Sequence, residues 1–181
     1  MIPKFREDKT TQAAGYLIEL AGGKINYMKL IKLLYLADRE AISAWEVPIT
    51  FDQYVSMDNG PVLSKTYDLI NWGAFPGNPS YWAEYISSPS NFEVSLLKTN
   101  EKNKLSEAEL DLLQQIHKKY GKFNQWDLVT ITHKLPEYTD PKGSVIPINI
   151  RDILSGLGID KESISRIEEN FEAKAYIESI C

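Results

Sequence analysis

Apolar and polar positions recur with a helical period along most of the chain. The clearest run is NYMKLIKLLYLADREAISAW, residues 26–45. At about 100° per residue, Tyr27, Leu30, Ile31, Leu34, Ala41 and Trp45 gather on one face. Lys29, Lys32, Arg39, Glu40 and Ser43 gather on the other. Two residues break the pattern: Asp38 sits amid the apolar face and Leu36 amid the polar one. Asn26 is placed to cap this helix. An earlier helix is predicted from a cap at Thr10 or Thr11, with Ala13, Ala14, Leu17, Leu20 and Ala21 as its apolar side and Gly22-Gly23 as its stop.

PITFDQYVSM reads as a strand, and Asp58-Asn59-Gly60-Pro61 as turn chemistry. Pro61 then suits the first turn of a helix, VLSKTYDLINWG, where a missing N–H costs nothing. AFPGNPS is a loop. YWAEYI and NFEVSLL, joined by SSPS, predict a hairpin. KTNEKNKL is the best linker candidate. Ser106 and Glu109 form a capping box ahead of a helix carrying Leu110, Leu113, Ile116 and Tyr120, stopped by Gly121. Asn124 caps QWDLVTITHKL, which Pro136 helps end. PEYTDPKGSVIP is read as loop and INIRDILSGLG as a short helix. Asp160 caps the last helix, where Ile164, Ile167 and Phe171 form a stripe. The expected fold class is α+β, mainly helical, with a small antiparallel sheet or hairpin. One domain is expected over 1–181, its motif-bearing part about 10–140 and a helical C-terminal extension over 141–181.

Length and composition change this picture little. The chain has 181 residues, 43% hydrophobic and 25% charged, which is ordinary globular usage. The net charge of −5 disfavours unspecific nucleic-acid binding, which needs a phosphate-neutralising surface. Cys181 is the single cysteine, so neither an internal disulfide nor a thiolate metal site is available. The N-terminal MIPKFREDKTTQ is polar, and no window resembles a membrane span, so a cytoplasmic location is expected.

Candidate chemistry is thin. No phosphate-loop or HExxH pattern is present, and no catalytic residue, metal site or cofactor is expected. His117, beside Lys118 and Lys119 at a helix end, reads as a solvated cation favoured by the helix dipole. His133 shares a face with Trp126 and Val129 and reads as a packing residue with one hydrogen bond. Asp38 must be paired, hydrogen-bonded or protonated if its face is buried, as a helix cap, an ion-pair partner or a site carboxylate. Leu36 ringed by Lys29, Lys32 and Arg39 makes an apolar spot within positive charge, as partner sites have.

Three stretches in order resemble a known family. YMKLIKLLYLADREAISAW resembles the helix motif of the Panacea domain, the SocA-like, phage-associated antitoxin domain, through Lys29, Leu30, Lys32, Leu33, Leu34, Tyr35 and Asp38. YVSMDNGPVLSKTYDLI resembles its second motif through Gly60, Pro61, Val62 and Tyr67. LVTITHKLPEY resembles the third through His133 and Pro136. Departures are Asn59, where members often have His, and Glu137-Tyr138, where Trp is common after the proline. The DNA-binding helix-turn-helix that some members carry is not expected here, since few residues precede the first helix.

The resemblance implies that Gly60-Pro61-Val62 fixes a strand-to-helix corner and seats Tyr67 against the second helix. It implies an antitoxin that binds a co-encoded protein toxin in a hetero-complex and occludes its active site, with translation a common target of such toxins. An acidic antitoxin would complement a basic toxin. An adaptor that delivers the toxin to a protease is a related outcome. The rivals are a phage-associated regulatory nucleic-acid-binding protein using Lys29, Lys32 and Arg39, and a hydrolase built on Asp38 or His133.

Overall fold

The computed structural model describes residues 2–74 and 80–181. Most of the expected AFPGNPS loop lies outside the described residues. The fold is mainly helical α+β, with eight helices among the described residues and two small antiparallel sheets. In order the elements are α1 (Glu7–Leu20), β1 (Lys24–Asn26), α2 (Tyr27–Trp45), β2 (Tyr54–Met57), β3 (Gly60–Leu63), α3 (Ser64–Trp72) and α4 (Tyr81–Tyr85). Then follow β4 (Glu93–Ser95), α5 (Glu107–Tyr120), α6 (Gln125–His133), β5 (Ile146–Ile148), α7 (Ile150–Gly156) and α8 (Lys161–Ile180).

Helix α2 runs through the middle of the molecule. It packs against α1, α3, α5, α6, α7 and β3, and every residue from Leu30 to Asp38 is buried. This corrects the amphipathic reading. The middle of the helix is covered on all sides, so Leu36 (5% exposed) and Lys32 (0%) go inside with the rest, while Glu40 and Ser43 of the expected polar face are exposed. Trp45, expected on the apolar face, lies at the helix end and is 40% exposed.

Local capping chemistry sets many helix starts. Asn26 Oδ1 accepts from Lys29 N (3.1 Å), and Ser106 with Glu109 closes a reciprocal capping box. Asn124 with Asp127 forms a second box, and Asp160 accepts from the N–H groups of Glu162 and Ser163. Helix α1 instead begins at Glu7, and Thr10 and Thr11 are buried inside it rather than capping it.

The three-stranded sheet has the order β3-β2-β5. Met57 pairs with Gly60 across a two-residue turn, Asp58-Asn59, and Tyr54 pairs with Ile148. Pro61 therefore stands in a strand, opposite Ser56, and α3 starts three residues later. It is tolerated because β3 is an edge strand, where proline breaks no ladder. The sheet's third strand is Ile146–Ile148, of which Ile146 and Pro147 were expected in a loop and Ile148 at the start of a helix.

The expected hairpin is partly different. YWAEY is helical, because Ser80 caps it by accepting from Ala83 N (3.0 Å). Val94 and its neighbours form a strand, but its partner in the small sheet is β1, with Ile25 opposite Val94. The KTNEKNKL stretch is bound to α1: Gln12 Nε2 donates to Asn103 Oδ1 (2.8 Å), and Lys104 N donates to Gln12 Oε1 (2.8 Å).

Candidate functional site

The three motif stretches converge around α2, and polar contacts join them in the interior. The amine of Lys32 is buried beneath the β2–β3 corner and donates to the Pro61 carbonyl (2.8 Å). Burial disfavours the charged amine and lowers its pKa to about 7. A Cβ on Gly60 would lie 2.9 Å from this amine and 2.8 Å from Thr132 Oγ1, and Gly60 has a φ of +99°. Glycine is required there by close approach and by backbone conformation together. Gly60→Ala is expected to destabilise the protein by about 2–3 kcal/mol, checked by urea unfolding.

A second cluster joins the first motif to the third. The Glu137 side chain is fully buried. It accepts from Tyr35 Oη (3.0 Å) and from Arg39 Nε (2.7 Å). Burial and the neighbouring carboxylate push the Tyr35 hydroxyl well above its ordinary pKa, so it stays a donor. Removing that donor by Tyr35→Phe is expected to lower stability by about 1–2 kcal/mol, while Arg39 keeps Glu137 paired. A thermal melt of the variant measures it.

Asp38 is 1% exposed and anchors the segment entering β2. Its Oδ1 accepts from Ile49 N (2.9 Å) and Thr50 N (3.1 Å). Its Oδ2 accepts from the hydroxyls of Thr50 and Tyr54, the latter at 2.8 Å. Burial pushes the carboxyl up to about 6, and the four donors pull in the other direction. Asp52, not singled out in the sequence, does a similar job for α3: it accepts from Lys65 N, Thr66 N and Thr66 Oγ1.

The remaining motif residues sit around these clusters. Leu30, Leu33 and Leu34 are in the core, and Val62 is 5% exposed. Tyr67 is half-buried and, with Tyr27, Met28 and Ile31 of α2, lines a cavity of about 300 Å³. Pro136 is exposed. His133 is exposed too, its ring stacked on Tyr138 with centroids 4.5 Å apart and planes 7° apart. All four Asp38 donors come from Ile49 to Tyr54, so Asp38 and His133 form no working pair. Among the described residues, no group of three or more His, Cys, Asp or Glu side chains could hold a metal ion.

Two expected surface features change. The apolar spot in positive charge does not form, because Leu36 and Lys32 are buried, Arg39 is paired with Glu137, and Lys29 Nζ donates to the Gly121 carbonyl (2.6 Å). His117 is not a solvated cation. Its ring is half-buried, with Nδ1 lacking a partner among the described residues, and burial, then repulsion from Lys29, lowers its pKa.

Residues 30–139, from the first turn of α2 to just beyond Glu137, match the family model described as antitoxin SocA-like, Panacea domain. The chain belongs to that family. The matched span, well over half the chain, contains the Lys32–Pro61, Tyr35–Glu137–Arg39 and Asp38–Tyr54 contacts, so the interior network lies within the Panacea domain. No curated protein and no solved structure gave a match to the chain. A SocA-like antitoxin domain implies the antitoxin of a toxin–antitoxin system, and with it a cognate toxin as partner. Among the described residues, no helix is long and apolar enough to cross a membrane.

Proposed function

We propose that the protein neutralises a co-encoded protein toxin by binding it directly and covering its active site or substrate path. The observation that carries this reading is the Panacea match together with where its polar motif residues point. Lys32 and Asp38 are turned inward and hold backbone or side chains of the same domain, and Glu137, next to the third motif's proline, is bonded to Tyr35 of the first. The motif builds a rigid body, and action on another molecule is left to the surface around it. Preorganised surfaces of this kind bind with little ordering cost.

The test is co-expression. The adjoining reading frame is induced alone and then with this chain, scoring growth and co-purification. The proposal predicts arrest by the neighbour alone, rescue by the pair, and a stable complex. Rescue without a complex contradicts neutralisation by binding.

A further inference from the structure

We propose that Asn59 is a site of spontaneous covalent modification, deamidation through a cyclic imide, and that the isoaspartate it leaves loosens the β2–β3 corner of the domain.

Asparagine is among the thermally labile side chains, and the residue after it decides how labile. The next backbone nitrogen must reach the side-chain carbonyl carbon, and a Cβ on that next residue stands in the way. Asn59 is the chain's only asparagine followed by glycine. It is exposed, in the two-residue turn between β2 and β3, and its amide makes no hydrogen bond among the described residues. Other asparagines are held. Asn26 and Asn124 accept backbone hydrogen bonds at helix starts, and Asn100 Nδ2 donates to the Gln12 carbonyl (3.1 Å).

The Gly60 nitrogen gives up its proton to water or hydroxide and bonds to Asn59 Cγ. The Cγ–Nδ2 bond breaks, and the side-chain nitrogen takes a proton from solvent and leaves as ammonia. The cyclic imide then takes up one water. Breaking the new Cγ–N bond restores the normal chain and leaves aspartate. Breaking the original C–N bond leaves isoaspartate, whose backbone runs through Cβ and Cγ and is one methylene longer.

That methylene enters beside the most crowded point of the domain. Gly60 is buried, with a φ of +99°. A Cβ there would lie 2.8 Å from Thr132 Oγ1, 2.9 Å from the Lys32 amine and 3.2 Å from His133 Cδ2. Met57 pairs with Gly60 and Ser56 with Pro61, so a longer turn shifts the start of β3 against β2. The shift pulls the Pro61 carbonyl from the buried Lys32 amine that donates to it (2.8 Å), and a buried donor without its acceptor is costly. Aspartate keeps the backbone length and adds only a charge at an exposed position. On the antitoxin reading above, protection then fades with the age of the protein wherever new chain is not made. That last step rests on the reading; the chemistry does not.

The test ages the purified full chain at growth temperature, at mildly alkaline and at mildly acidic pH. Peptide mass mapping, methyl transfer by an isoaspartyl methyltransferase, and thermal melts follow it. Wild type is expected to gain acid at Asn59 before any other asparagine, and faster at alkaline pH, where the attacking nitrogen loses its proton more readily. The isoaspartyl fraction, separated by chromatography, is expected to melt about 5 °C below fresh chain. Asn59→Gln, whose longer side chain closes such a ring slowly, is expected to age without either change. Freshly made Asn59→Asp carries the charge on an unaltered backbone and is expected to melt within about 2 °C of wild type.

An Asn59 peptide that stays amidated through ageing overturns the site. An isoaspartyl fraction that melts with fresh chain, or Asn59→Asp melting as low as that fraction, overturns the loosening of the corner. Fresh and aged chain are last compared for binding to the purified protein of the adjoining reading frame, and the share that binds is expected to fall as isoaspartate rises. Equal binding by both overturns the fading of protection. A fresh chain that does not bind overturns the antitoxin reading and fading protection with it, while mass and melting, read on the chain alone, still decide the modification.

Discussion

Asp38→Ala is expected to destabilise the protein by about 3–5 kcal/mol, a large share of the stability of a domain this size. The substitution leaves two buried backbone N–H groups, of Ile49 and Thr50, and two hydroxyls, of Thr50 and Tyr54, without their acceptor. Asp38→Asn keeps one acceptor oxygen but turns amide hydrogens toward hydroxyl donors, and is expected to lose roughly 2 kcal/mol. Urea unfolding at neutral pH measures both. An Asp38→Asn protein of unchanged stability that no longer protects cells would instead make Asp38 a site residue.

The second large effect is on pH dependence and belongs to Lys32. Its folded pKa is about 7, far below the roughly 10.4 of an unfolded lysine. Between those values the unfolded state binds more protons than the folded one, so stability rises with pH. The destabilising charge is present in full below the folded pKa and is relieved as pH climbs toward the unfolded value. Between pH 7.5 and 9.5 the wild type is expected to gain roughly 2 kcal/mol. Tyr35 and Tyr54 stay protonated through that window, because burial and the carboxylates beside them hold their hydroxyls well above the ordinary range. Lys32→Met removes the titrating group and should flatten the profile. An equal rise in that variant would show that the slope comes from elsewhere.

Particular residues show how much of this was legible in the chain. Caps are local, so Asn26, Ser106, Asn124 and Asp160 announce their helices within a few residues. Asp38 was conspicuous because its helical neighbours are apolar, and it is buried and bonded. Its partners were not legible, since they lie 11 to 16 residues away in a segment that is irregular until β2. Lys32 was misread as solvent-facing because periodicity assumes a solvent side along the whole helix, and elements from both halves of the chain cover the middle of this one, whereas Glu40 and Ser43 are exposed as expected. YWAEY reads as a strand by aromatic content, yet a serine cap made it helical. The strand at 146–148 is too short and proline-bearing to show itself without β2 beside it.

The candidate site divides the same way. The motif residues could be listed from the sequence, but not that Lys32, Gly60 and Thr132 share one crowded point, or that Glu137 ties Tyr35 to Arg39. Those are contacts over 29 to 102 residues of chain. The turn at Asn91-Phe92 was equally hidden, since nothing in SSPSNFEV says that Phe92 takes a positive φ there.

Neutralisation by occlusion is stoichiometric, and a titration separates it from turnover. The purified product of the adjoining reading frame is added to cell-free protein synthesis at a dose that stops it, and this chain is titrated in. Occlusion predicts that synthesis returns in proportion to the chain added and is complete near one equivalent of the complex's stoichiometry. Full recovery at a small fraction of an equivalent would mean turnover, and would contradict the claim.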